Sequence, residues 1–110
     1  MKYQLTIWHG DDHWESPQEI GEWPEHKVWY DDLVARGITR GGARLRPEAT
    51  TKVQVRNGET LVSDGPYAET KDFVGGFMVI EVEHLDEAIE VAAGHPFAKW
   101  GTVEVRPVWE

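Results

Sequence analysis

A chain of 110 residues with a net charge of −9 at pH 7 and no Cys is expected to form one domain spanning residues 1–110. The acidic balance excludes the basic stripe that nucleic acid or an anionic membrane surface requires, and the missing thiols exclude disulfides, thiolate catalysis and Cys-ligated zinc. No apolar run reaches the ~18 residues of a bilayer span, and the chain opens on a strand-like segment without a leader, so a cytoplasmic protein is expected.

Tyr3, Leu5 and Ile7 alternate with Gln4, Thr6 and Trp8, the period of a first strand. His9, Asp11, Asp12 and His13 follow in a polar loop. Imidazole with carboxylate suits zinc or nickel, but the spacing matches no strong metal motif, so a solvated acidic loop and no metal site are expected. Ser16-Pro17-Gln18-Glu19 has the makings of a helix start, with a capping Ser, a first-turn Pro and a Glu that completes a capping box. The helix is expected to reach about Arg36, with Gly37 in the left-handed position after it. Pro24 lacks the N–H that a continuous helix needs, which predicts a kink or a fresh start there. His26, Tyr30, Leu33 and Gly37 are spaced to share one helical face.

Ile38 to Leu45 reads as a second strand weakened by Gly41-Gly42. Thr51 to Arg56 and Thr60 to Ser63 flank Asn57-Gly58, a two-residue hairpin turn in which both residues tolerate positive φ. Asp64-Gly65-Pro66-Tyr67 makes a rigid turn, since Asp64 accepts from the backbone ahead of it and Pro66 fixes the chain. Phe77 to Val82 is a mostly apolar run suited to a central strand. Leu85, Ala88, Ile89 and Ala92 mark a second amphipathic helix that Gly94 can end, and Val103 and Val105 alternate with Glu104 and Arg106 in a last strand. The order is β-α-β, a β-hairpin, then β-α-β. This α+β pattern predicts a ferredoxin-like sandwich with both helices on one sheet face. The other face then needs a cover, and a second copy of the chain is the simplest one, so a homodimer is expected. The six Trp supply large contact surfaces for the core or for such an interface.

The stretch Asp64-Gly65-Pro66-Tyr67-Ala68-Glu69-Thr70-Lys71, with Gly75-Gly76-Phe77 after it, resembles the signature of the YCII-related (DGPF) domain family. Leu85-Asp86-Glu87-Ala88 and Gly101-Thr102-Val103-Glu104-Val105-Arg106-Pro107 are similar to its second helix and last strand. The resemblance is specific over the C-terminal half and one of layout in the N-terminal half. It implies a dimeric α-β-barrel assembly, and some relatives are small-molecule enzymes. It also implies an acid–base pair made of a His on the first helix and an Asp ahead of the last strand. His26 stands where that His belongs, while His95-Pro96 stands in place of Asp-Pro. A His supplies no permanent negative charge, so the pair implied by the resemblance is altered here.

His26 is the leading acid–base candidate, because an imidazole titrates near neutral pH, and His95 is the second. Both also have plain readings, as a helix-edge His and a loop His. Asp64, Tyr67, Glu69, Lys71 and Tyr30 are candidate ligand-binding residues, although turn chemistry alone accounts for Asp64 to Pro66. Trp23 and Trp29 flank His26 and are placed to wall a pocket for an aromatic or apolar ligand. Dinucleotide, phosphate-loop and Ser-nucleophile motifs are missing, and no cofactor is expected. Two functions remain open: a dimeric small-molecule enzyme, of elimination or hydrolysis type, using His26, and a non-catalytic ligand-binding or regulatory homodimer.

Overall fold

The computed structural model describes residues 1–9, 23–46, 49–64, 73–99 and 101–110, with the side chains of His9 and Phe73 left aside. The strands are β1 (Lys2–His9), β2 (Thr39–Arg44), β3 (Thr51–Arg56), β4 (Glu59–Asp64), β5 (Phe73–Glu81) and β6 (Thr102–Pro107). The helices are α1 (Pro24–Ala35) and α2 (Leu85–Gly94), the latter followed by a 3-10 turn over Pro96–Lys99. Four strands form one sheet in the order β2-β5-β1-β6, every neighbouring pair antiparallel. β1 and β2 therefore run parallel with β5 between them, and β5 and β6 run parallel with β1 between them. Each helix thus links two strands that are not adjacent, a layout that local contacts alone do not dictate.

The period-two pattern of β1 places Tyr3, Leu5 and Ile7 on one face. Tyr3 lies opposite Ile80, Leu5 opposite both Met78 and Val105, and Ile7 opposite Val103. Trp29 and Leu33 of α1 and Ala88, Val91 and Ala92 of α2 close over this face to make the core. The opposite face carries Gln4, Thr6 and Trp8 beside Phe77, Val79 and Glu104. Polar pairs bridge it: Gln4 Nε2 donates to Thr6 Oγ1 over 3.1 Å, and Trp8 Nε1 donates to Glu104 Oε1 over 3.1 Å. Neither helix covers this side.

α1 begins afresh at Pro24. A residue before Pro is driven to extended backbone, and Trp23 adopts φ −65°, ψ 137°, so no helical turn passes through it. The Ser16–Glu19 start signal lies outside the described residues. α1 ends in a Schellman motif: Gly37 takes φ 70°, its N–H donates to the Val34 carbonyl, and the Ile38 N–H donates to the Leu33 carbonyl. The buried positions of the helix are Trp29 and Leu33, with His26 half-buried and Tyr30 41% exposed. The inward stripe is thus His26–Trp29–Leu33, not the line through Tyr30 that the spacing predicted. The indole takes the inward place because it buries more area and its N–H finds the Val91 carbonyl of α2 at 2.8 Å.

Asn57 and Gly58 take positive φ (53° and 78°), as their turn requires, and pair β3 with β4 in register from Thr51–Asp64 to Arg56–Glu59. This hairpin is a separate two-stranded sheet. Gly41 and Gly42 have a different task. β2 is irregular between Thr39 and Gly42, Gly41 takes φ 102°, and a Cβ on Gly42 would press on the Phe77 carbonyl and lie 2.8 Å from the Met78 Cα. The glycine pair lets a kinked edge strand lie directly against β5.

Candidate active site

Between α1 and the β2–β5 edge lies a cavity of about 760 Å³. Pro24, His26, Trp29 and Tyr30 line it from the helix, Thr39 and Gly41 to Arg44 from β2, Gly75 to Met78 from β5, and His95 from the segment after α2. The fold explains why these distant residues meet. The fresh start at Pro24 puts His26 in the first turn of α1, and α2 ends beside Trp29, where a Cβ on Gly94 would lie only 3.1 Å from the indole. His95 follows directly on that close approach.

His26 and His95 have ring centroids 5.4 Å apart, nearly perpendicular at 82°. Trp29 touches both, with centroids 4.8 Å from His95 and 5.7 Å from His26. The indole is fixed by its bond to Val91, so it forms a rigid wall on which the two imidazoles rest. His95 is only 4% exposed, and its Nδ1 accepts the Phe97 backbone N–H at 3.0 Å. An accepting nitrogen carries no proton, so the neutral His95 ring is protonated at Nε2. His26 is the more accessible of the two. Its pKa is lowered from 6.5, chiefly by burial and also by the positive charge of Arg44. It is therefore neutral at neutral pH, the state of a base.

That shift has a consequence for stability. Between the lowered native value and 6.5 the unfolded chain binds the proton that folded His26 refuses. The folded state is unpenalised above pH 6.5 and loses stability as pH falls below it. His26→Gln removes this contribution. Melting scans from pH 7.5 to 5 are expected to fall more steeply for the wild type than for H26Q, and parallel curves would contradict the assignment.

The other sequence candidates divide. Tyr30 lines the cavity at its exposed side. Asp64 is exposed at the end of β4 and is not among the described residues lining the cavity. Tyr67, Glu69 and Lys71 lie outside the described residues, as do Asp11, Asp12 and His13 and the side chain of His9. Among the described residues no cluster of three or more His, Asp or Glu is placed to hold a metal ion. No helix among them is long and apolar enough to cross a membrane. Sequence reasoning passed over Arg44, the cation that acts on His26. Its signal was the Gly41-Gly42 pair just ahead of it, since glycines inside a strand often mark a place where a ligand or another backbone comes close.

The YCII-related domain profile matches residues 1–110, the whole chain. The chain belongs to the YCII-related family. An uncharacterized protein of Rhizobium meliloti (strain 1021) is 44% identical to this YCII-related chain over 69 residues, which is 60% of this chain. The match spans 56% of that relative's length. Among solved structures, the 5-chloro-2-hydroxyhydroquinone dehydrochlorinase TftG of Burkholderia phenoliruptrix AC1100, in complex with 2,5-dihydroxybenzoquinone, superposes with a TM-score of 0.56. The comparison covers 100% of this chain and 94% of that one at 19% identity, a likeness of fold alone.

Proposed function

We propose that this YCII-related protein is a small-molecule enzyme in which His26 takes a proton from a substrate held in the cavity between α1 and the β2–β5 edge. The observation that carries the reading is a half-buried, neutral imidazole opening on a cavity of about 760 Å³ and braced by a buried aromatic wall. A base that must act near pH 7 needs to be unprotonated and within reach of substrate, and His26 meets both conditions. Trp29, Met78 and Ile7 give the cavity an apolar, partly aromatic lining suited to a ring-shaped ligand.

His95 serves here as a positioning residue. Its Nδ1 is committed to the Phe97 N–H, so it offers one nitrogen where a carboxylate would offer a charge. Its ring edge holds the His26 ring against Trp29. A base backed by an imidazole in place of a carboxylate suits a reaction in which the proton leaves an already acidic position. Elimination fits best. His26 takes the proton, the freed electron pair forms the new double bond, and the leaving group departs as an anion with its own bonding pair. The loss of H–X balances without an oxidant or reductant. The fold neighbour is a dehydrochlorinase of a hydroxylated aromatic compound, which makes chlorinated hydroquinones the first compounds to assay. Chloride release from 5-chloro-2-hydroxyhydroquinone and related halophenols, above the rate without protein, is expected. A chain that binds such rings but releases no anion from any of them, and hydrolyses none of their esters, is a binding protein.

The strand order β2-β5-β1-β6 supports reading the sheet as ferredoxin-like, and the face that neither α1 nor α2 covers supports a homodimer of the α-β-barrel kind. Phe77, Val79 and Trp8 are half-buried on that face before any partner is added. Light scattering at micromolar concentration should give twice the chain mass of 12.6 kDa, and a single-chain mass would remove the dimer.

A further inference from the structure

We propose that the cavity takes rings carrying a carbonyl oxygen beside the carbon that loses its proton, and that the Tyr30 hydroxyl is the donor that holds this oxygen. The inference rests on the reading of the cavity as the working site. It adds the class of compound taken and a second residue that touches it.

When His26 removes a proton from carbon, the electron pair left behind needs support. The lining of Trp29, Met78 and Ile7 offers a bare carbanion none. A carbonyl next to that carbon draws the charge onto oxygen, where a fixed donor can meet it. Most donors on the cavity wall are already committed. The Trp29 Nε1–H goes to the Val91 carbonyl at 2.8 Å, and Lys27 Nζ lies 2.6 Å from Asp31 Oδ2. Arg44 and His95 have interaction partners of their own. Thr39 Oγ1 accepts the Gly41 N–H over 3.5 Å. Among the described residues that line the cavity, Tyr30 is the one with a hydroxyl that makes no hydrogen bond. It is 41% exposed, on the side by which a ligand can enter.

Tyr30 also stands in the right place. It follows His26 by four residues in α1, so the two side chains leave the helix roughly 5–6 Å apart on one side. A ring lying along that side can meet the imidazole with a C–H and the phenol with the adjoining carbonyl. The wall across from α1 includes Gly41, Gly42, Gly75 and Gly76, which leave room for the flat of the ring because they carry no side chains. In the elimination, His26 takes the proton and the C–H pair moves onto the carbonyl as an enolate. Tyr30 donates to that oxygen and keeps its own proton. The enolate pair then forms the new C=C bond as the leaving group departs with its bonding pair. H–X is lost overall, with no oxidant or reductant.

The test uses 1-indanone and indane, bicyclic rings of nearly one size that differ by the carbonyl oxygen. Neither has a leaving group, so both bind without turnover. They are titrated by NMR into the whole chain at pH 7.5. The affinity ratio of ketone to hydrocarbon is expected to be about fivefold higher in the wild type than in Tyr30→Phe, the scale of one neutral hydrogen bond. Phe keeps the ring and loses only the hydroxyl, so an unchanged melting curve for Y30F is the check on folding. A second readout follows the residue itself. With 3-fluorotyrosine at all three Tyr positions, the fluorine line that is missing from Y30F should move further with indanone than with indane. An equal ratio in wild type and Y30F, a ratio lost in Thr39→Val but kept in Y30F, equal displacement of that fluorine line by the two rings, or no binding of either ring up to the solubility of indane overturns the proposal. Turnover separates this idea from the catalytic one. A chain that turns over nothing yet prefers the ketone through Tyr30 keeps this proposal and loses the enzyme. A chain whose turnover depends on His26 but is the same in Y30F does the reverse.

Discussion

His26→Gln is expected to lower kcat/KM by about 10²- to 10⁴-fold for any substrate whose reaction starts with loss of a proton, the usual share of a positioned base. Gln keeps the polarity and approximate length of His but has no basic nitrogen, so ligand affinity should change little. A loss seen in kcat with KM preserved marks an interaction made only in the transition state. The pH profile provides a second readout. Because burial and Arg44 hold the His26 pKa below 6.5, kcat/KM of the wild type should stay level down to that pH and fall only below it. The residual activity of H26Q should lack this acid limb. A variant within threefold of the wild type, or one with the same limb, would move the base elsewhere. The partner position offers a finer probe. His95→Asp can still accept the Phe97 N–H and adds a negative charge near His26, so the His26 titration should move upward in the NMR spectrum.

The elements most legible in the sequence were those set by short-range geometry. Gly37 had to take a left-handed conformation for α1 to end where it does, and Asn57-Gly58 had to do so for β3 to turn into β4. The alternation in β1 declared its faces because a period of two leaves no other choice. The meeting of His26 and His95 was also readable, since the order of elements puts the start of one helix and the end of the other on the same side of the sheet. What the sequence concealed was the rotation of α1. Trp29 and Tyr30 are adjacent aromatics, and either fits a helical stripe with His26 and Leu33. The choice is made by the Val91 carbonyl and by the gap at Gly94, both supplied by α2. Arg44 was concealed for a related reason. A charged residue in an edge strand looks like any solvated side chain until a helix from elsewhere builds a cavity over it.

The hairpin shows where pattern reading stops. Val53 and Val55 alternate with polar neighbours as a half-buried strand should, yet both are exposed, at 62% and 60%. Alternation states that one face is apolar and does not state what covers it. A two-stranded sheet by itself is marginal in water, and the exposed Val53–Val62 pair buries little apolar surface to strengthen it.

Trp29→Ala is expected to produce the largest loss of stability of any change at the site, roughly 3–5 kcal/mol, the range for removing a buried large aromatic. The indole is 8% exposed and joins the core shared by Leu33, Ala88, Val91 and Ala92. Its removal leaves the Val91 carbonyl without its 2.8 Å donor and opens space beside Gly94 that no neighbouring side chain fills. Since a domain of this size has a total stability of about 5–15 kcal/mol, the fall in Tm should be on the order of 15 °C. Trp29→Phe separates the two tasks of the residue. It keeps an aromatic wall for His26 and His95 but drops the hydrogen bond, at a cost of about 1–3 kcal/mol for an acceptor left unpaired. W29F should therefore be less stable yet retain most of its turnover. W29A, assayed well below its lowered Tm, should lose turnover as well, because both imidazoles lose the surface that sets their mutual angle. Chemical denaturation of the two variants, read beside their kcat, checks this. If W29A were as stable as the wild type, α1 would not be packed through Trp29. If W29F lost as much activity as W29A, the wall would depend on the N–H–carbonyl bond and not on the ring.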